Sequence, residues 1–268
     1  MAERQRSEWG DPGTLPPSRS RWLLRLFSWY VRRYVRRHFT AVLLSGPADL
    51  PRRGKRPIIV YLNHPSWWDP LTCMVLAMAL LPDRAHYAPM DQAQLKRYKF
   101  FSKLGFFGVE PGSARGALSL LRVGRAILQR PDAALWITPQ GRTADPRERP
   151  VSLRQGIERL VRVAEECSLV PLALEYPFGE ERLPFAVARF GTATPSASVP
   201  AGDPGQFTGF LERQLEKTQD SLAADICAGR LSQLKVLLRG REGVGFAYDL
   251  WRRSRALISG KKVDLRHG

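Results

Sequence analysis

The chain has 268 residues, a 44% hydrophobic content and a formal net charge of +17, enough apolar material for a sizeable buried core and too much for a disordered chain. Such a charge points to an anionic partner, which composition leaves open among membrane phospholipid, nucleic acid and an acidic cofactor. The three cysteines, Cys73, Cys167 and Cys227, are odd in number and widely spaced, which excludes a disulfide framework or a CxxC metal site and suits a reducing compartment.

Residues 1–20 are rich in Pro, Gly, Ser and charge and predict a disordered tail. Arginines interrupt every apolar stretch there that could serve as a cleaved signal, and no apolar run approaches the roughly 20 residues that cross a bilayer. From 21 to 43, Leu23, Leu26, Phe27, Tyr30, Val31, Tyr34, Val35, Phe39 and Val42 fall at the spacing of one helical face. Arg21, Arg25, Arg32, Arg33, Arg36 and Arg37 occupy the other side. Such a basic amphipathic helix is expected to lie in a membrane interface, where each Arg near an anionic surface contributes about 1 kcal/mol. In the alternative reading its apolar face packs on the domain and the arginines are merely solvated.

Between 44 and 200, strands and helices alternate. The pattern predicts strand 57–63, helix 69–81, strand 85–89, helix 91–103, strand 106–110, helix 113–129, strand 133–138, helix 152–166 and strands 169–176 and 184–190. This is the signature of an α/β domain with a largely parallel central sheet flanked by helices. Ser152-Leu153-Arg154-Gln155 reads as a capping box for the helix that follows. Ligands of open α/β sheets bind beyond the carboxyl ends of the strands, so the loops after Leu62, Val109 and Ile137 are expected to converge. Residues 201–268 read as a helical extension. There Phe246, Leu250, Trp251, Leu257 and Ile258, with Arg252, Arg253 and Arg255, form a second basic amphipathic segment.

The densest chemistry lies at Asn63-His64-Pro65-Ser66-Trp67-Trp68-Asp69-Pro70. A histidine ends a buried strand and an aspartate follows five residues later. A carboxylate held against one ring nitrogen fixes the tautomer and leaves the other nitrogen as a base at neutral pH. The interval alone is weak, because His86 and Asp91 repeat it. His86 sits within a strand and reads as structural, with Asp91 as a helix cap. Asp69 followed by Pro70 also fits ordinary helix-start chemistry. Ser66 reads as a turn cap and Cys73 as a buried thiol. Trp67 and Trp68 suit either a lipid interface or the core. Lys96, Arg97, Lys99 and Lys103 suit coenzyme phosphates, lipid headgroups or a solvated helix face.

The run Asn63-His64-Pro65-Ser66-Trp67-Trp68-Asp69 resembles the H(X)4D first motif of the PlsC-type glycerolipid acyltransferases. Thr138-Pro139-Gln140-Gly141-Arg142-Thr143 stands where that family carries F-P-E-G-T-R-S, and Leu169-Val170-Pro171-Leu172 where its fourth motif falls. The three elements keep the family order over residues 40 to 190. The resemblance implies transfer of a fatty acyl group from acyl-CoA or acyl carrier protein, as co-substrate, to a lipid hydroxyl. It names His64 and Asp69 as catalytic, and Asn63, Ser66, Trp67, Gln140, Gly141, Arg142, Thr143 and Arg115 as substrate-binding, with no bound cofactor or metal.

Two departures bear on the acceptor. The family's second motif, G-x-x-F-I-x-R, is replaced by Gly105-Phe106-Phe107-Gly108-Val109-Glu110-Pro111, with no phosphate-holding arginine. Gln140 replaces the third-motif glutamate, and Arg142-Thr143 inverts the usual order. An unphosphorylated or glycosylated lipid alcohol therefore suits the pocket beside a lysophospholipid or glycerolipid. The expected setting is peripheral, on the cytoplasmic face of a membrane, with membrane lipids as partners. A catalytically inactive adaptor on the same fold is the alternative. Nucleic acid is not expected, because the arginines cluster on amphipathic segments and no helix-turn-helix, RNP or zinc pattern is present.

Overall fold

Five consecutive buried apolar residues, Ile58–Leu62, fit one strand only when both faces of its sheet are covered, and both are. The computed structural model describes residues 15–51, 56–164, 166–200 and 204–241. Its first half comprises α1 (Arg21–His38), β1 (Ala41–Leu44), β2 (Ile58–Leu62), α2 (Asp69–Leu80), β3 (Ala85–Asp91), α3 (Gln92–Arg97), β4 (Phe106–Val109) and α4 (Ala114–Leu128). Then follow β5 (Ala133–Ile137), α5 (Gly156–Arg162), β6 (Ser168–Glu175), β7 (Phe185–Phe190), β8 (Thr194–Pro195), α6 (Pro204–Cys227) and β9 (Lys235–Arg239).

The strands form one sheet in the order β4-β3-β5-β2-β6-β7-β1-β9, with β8 paired to β6. Pairing is parallel from β4 through β6 and again between β7 and β1, and antiparallel at β6/β7, β6/β8 and β1/β9. The predicted largely parallel α/β architecture is therefore present. Alternation along β2 builds two cores. Ile58, Val60 and Leu62 meet Val31 and Val35 of α1 and Val75 and Leu76 of α2. Ile59 and Tyr61 meet Ile127 of α4, Leu160 of α5 and Leu211 and Leu215 of α6. Each such side chain contributes about 1.5–3 kcal/mol on burial.

Pro171 lies inside β6, where a missing N–H would normally break a ladder. It is tolerated because β6 changes partner there: Ser168 and Leu169 pair with β8, and Leu172 onward with β7.

Several elements depart from the sequence reading. The helix predicted over 21–43 stops at His38, because Ala41–Leu44 is buried throughout as a strand between β7 and β9. The helix predicted over 91–103 breaks after Arg97 into a 3-10 turn, Lys99–Leu104, closed by Gly105 at φ 105. Packing decides this, since Phe100 and Phe101 each meet Phe27 of α1 edge to face with ring centroids 5.8 Å apart. The capping box at Ser152 does not form, and α5 begins only at Gly156. Val151 and Leu153 are buried instead, with their amides donating to Glu216 and Glu212 of α6.

Residues 201–268 are not wholly helical, because β9 adds to the sheet beside β1; the sheet thus extends beyond 44–200 on both sides. Of the predicted tail, residues 15–20 are anchored: Ser20 N–H donates to Lys103 O at 2.8 Å and Lys103 Nζ to Ser18 Oγ at 3.1 Å. Residues 1–14 and the second basic segment, 246–258, lie outside the described residues.

The pole of the sheet opposite the strand C-termini is tied by Arg84, which is 4% exposed. Its guanidinium donates to the carbonyls of Pro51, Arg56, Pro131 and Ala133. Burying a cation without partners is costly, and removing it orphans its acceptors. Arg84→Met is expected to lower unfolding stability by about 2–4 kcal/mol in urea titration.

Candidate active site

β2 ends one residue before Asn63, and its pairing with β6 stops at Leu62 and Leu172, which leaves Leu174 paired with Ala188 of β7 but without a strand partner on the β2 side. The Asn63 side chain replaces that partner. Its Nδ2 donates to Leu174 O at 3.0 Å and its Oδ1 accepts from Leu174 N–H at 2.8 Å. Asn63 is 1% exposed, so its predicted substrate contact is corrected to a backbone lock, with its amide oxygen and nitrogen both engaged.

His64 follows directly and meets Asp69. Nδ1 lies 2.5 Å from Asp69 Oδ2, and the His64 side chain stays 28% exposed while that of Asp69 is 3% exposed. Asp69 is not a helix cap, as Pro70 had implied; it is the first residue of α2, after Trp68. Its Oδ2 also accepts from Ser66 N–H at 3.2 Å, and its Oδ1 from the Tyr176 hydroxyl at 2.7 Å. Three donors converge on this carboxylate, so the imidazole proton belongs on Nδ1 and the unshared pair on Nε2.

Tyr176 follows β6 and was not identified from sequence. The one signal available was its position just past a strand adjacent to β2, which requires the β2/β6 pairing to be known. Its hydroxyl also lies 3.2 Å from Thr72 Oγ1. Burial and the Asp69 charge push the phenol well above its ordinary range, which keeps it a donor. The same two causes push up the thiol of Cys73, which is no nucleophile.

The loop after β5 reaches this point: Ala144 N–H donates to His64 O at 3.0 Å. Within it, Gly141 turns at φ 68, and a Cβ there would lie 2.4 Å from Arg154 Nε. Its amide donates to Thr138 O, so it is not free to receive an oxyanion. Arg142 pairs with Glu148 and donates to Thr143 O, and Thr143 is exposed. Gln140 is buried with Oε1 unpartnered. Ser66 Oγ accepts from Trp68 N–H at 3.3 Å, a turn cap as predicted.

Trp67 is 70% exposed beside His64. Trp68 turns inward instead, against Phe39 at 4.8 Å and Tyr34 at 5.6 Å. Arg115 is exposed in the first turn of α4, beyond β4, which β3 and β5 separate from β2. At roughly 4.8 Å per strand this is about 14 Å, so the loops after β2, β5 and β6 meet, and the loop after β4 stands apart.

His86, the other histidine of this spacing, is structural. Its Nε2 donates to Leu81 O at 3.0 Å while Nδ1 accepts from Trp136 Nε1–H at 3.1 Å. Burial pushes it down to about 4, the neutral form that this bonding requires.

The chain belongs to the acyltransferase family: the family described as Acyltransferase matches residues 41–175, which span β1 through β6 and contain both His64 and Asp69. Its fold is similar to the crystal structure of the 1-acyl-sn-glycerophosphate (LPA) acyltransferase, PlsC, from Thermotoga maritima. That similarity has a TM-score of 0.54 at 14% identity, covering 75% of this chain and 80% of that one. No curated protein matches the chain in sequence.

Tyr176→Phe removes one donor from a buried carboxylate and is expected to cost about 1–2 kcal/mol of stability by urea titration, with the fold retained by circular dichroism. Because His86 is neutral when folded and has an unfolded pKa near 6.5, its contribution is fully present above pH 6.5 and declines as pH falls toward 4. The loss amounts to about 3 kcal/mol, and unfolding measured across that window in His86→Gln should lack this component.

Proposed function

We propose that this protein transfers a fatty acyl group from acyl-CoA or acyl carrier protein to the hydroxyl of a lipid, with His64 as general base. The observation that carries this reading is the His64–Asp69 pair at 2.5 Å, buttressed by Tyr176 and Ser66, in a chain of the acyltransferase family.

The acceptor hydroxyl approaches Nε2 of His64, which takes its proton as the oxygen attacks the thioester carbonyl. Asp69 stabilises the imidazolium that forms. The tetrahedral intermediate then collapses: the carbon–sulfur bond breaks, and the departing thiolate recovers the proton from His64. No acyl-enzyme is required, so both substrates must be bound together. General base catalysis of this kind contributes roughly 10²- to 10⁴-fold.

The acceptor we favour carries no phosphate beside its reacting hydroxyl. At the end of β4, where the resemblance calls for an arginine, Glu110 is exposed and accepts from Ser113 Oγ at 2.9 Å. That position therefore offers a phosphate no cation.

We place the protein peripherally on the cytoplasmic face of a membrane. No described helix is long and apolar enough to cross a bilayer, and Trp22, Trp29 and Trp67 are left exposed.

His64→Ala is expected to lower transfer from radiolabelled acyl-CoA to a membrane lipid extract by at least 10²-fold with the fold retained by circular dichroism; an unaltered rate removes His64 from the chemistry. Offered side by side, a neutral lipid alcohol should be acylated faster than lysophosphatidic acid, and the reverse order overturns the acceptor assignment.

A further inference from the structure

Asn63 and Tyr176 between them fix a residue that the proposed chemistry leaves unused. Leu174 is locked to Asn63 at 3.0 and 2.8 Å, the Tyr176 hydroxyl donates to Asp69 at 2.7 Å, and Glu175 stands between the two. Leu62 registers with Leu172, and the Asn63 lock keeps the ends of β2 and β6 side by side. The Glu175 backbone therefore runs beside that of His64 at about one strand spacing, roughly 5 Å. Side chains alternate along a strand, which sends Glu175 with Ala173 to the face covered by Leu222 of α6. The segment after β5 crosses there: its Ala144 amide donates to His64 O, and Gln219 of α6 donates to Pro146 O.

Glu175 is half-buried, and its Oε1 is buried with no donor. Among the described residues Gln140 and Gln219 also carry such an oxygen, but Glu175 is the one ionisable side chain that does. The arginines that face it are engaged elsewhere. Arg147 donates to Asp145 through Nε and Nη2, and Arg149 donates to Asp220 and to the carbonyls of Pro146 and Glu148. Burial outweighs the pull of Arg147 and Arg149 and holds the Glu175 carboxyl above its ordinary range. A carboxylate removed from solvent without a donor costs stability, and natural chains keep such a cost at functional sites.

We infer that Glu175 receives hydroxyl groups of the acceptor's headgroup, and so selects a polyhydroxylated headgroup, such as a glycosyl unit, over a plain long-chain alcohol. A carboxylate accepts hydrogen bonds and donates none, so its ligand must donate. Hydroxyl and ammonium groups both do, but Arg147 and Arg149 face the same carboxylate and oppose a further cation. A phosphate dianion brings acceptors alone. Neutral hydroxyls are what the position fits. This assignment rests on the acyl-transfer reading above: with the reacting hydroxyl at Nε2 of His64, Glu175 meets the rest of the headgroup from the adjoining strand end.

The test is calorimetric binding of octyl glucoside, kept below its micelle concentration, against octanol, with the full chain and no acyl donor. Hydrogen bonds to a charged group make the glucoside bind roughly 10- to 100-fold more tightly than the alcohol. Glu175→Met is expected to lose that preference with its circular dichroism and urea midpoint retained, since the carboxylate has no protein donor to forfeit. The isosteric Glu175→Gln keeps one accepting oxygen and should fall between. Glu166→Gln, just before the opposite end of β6, should bind as the wild type does. The inference is overturned if the wild type binds both ligands alike, if the Met and Gln variants keep the full preference, or if they lose both ligands equally, which marks a structural role. Adding acyl-CoA separates the two readings: absent turnover with the preference intact refutes acyl transfer, whereas turnover without the preference refutes Glu175 alone.

Discussion

A single carboxylate governs this site. Asp69 is withdrawn from water, and an acid so placed is tolerated only when donors surround it. Those donors come from separated parts of the chain: the Ser66 amide from the turn after β2, His64 from the strand end, and Tyr176 from beyond β6. The sheet determines whether they meet. Leu62 registers with Leu172, which fixes how far β6 runs past β2 and hence where Tyr176 falls. A slip of one residue would turn Tyr176 to the other face, and the Asn63 lock on Leu174 opposes that slip at the point where it would begin.

The helix that precedes the sheet serves both halves of the reading. Its apolar row closes one core, and its aromatic residues extend from Phe27 through Tyr30 and Tyr34 to Trp68, the neighbour of the exposed Trp67. Its remaining faces confront solvent with arginine and indole. A helix of this composition has more apolar surface than the domain can cover, which is why amphipathicity alone could not say whether it packs or docks.

What could be read from sequence was whatever is local. Short apolar runs bounded by turns located β2 through β7 to within a residue or two. The His64–Asp69 pair and the Ser66 turn lie within six residues, so spacing and side-chain chemistry sufficed. Non-local pairing hid the rest. Ala41–Leu44 continued the helical period of α1 and became a strand only because β7 and β9 flank it. Lys235–Arg239 stood in a region read as helical. Ser152 to Gln155 had the composition of a cap, yet burial of Val151 and Leu153 against α6 held that stretch extended. Asn63 looked like a ligand contact because its real partner, Leu174, is 111 residues distant, and Tyr176 carried no motif at all.

The place of β1 in the sheet also bears on how the molecule is made. Its strand neighbours are Phe185–Phe190 and Lys235–Arg239, both far downstream, so on the ribosome Ala41–Leu44 emerges long before anything can pair with it. Closing such distant contacts is slow, and exposed strand edges in a nascent chain invite aggregation. Completion of the fold therefore waits on the last described strand, and a nascent chain halted before residue 235 would leave one edge of β1 bare.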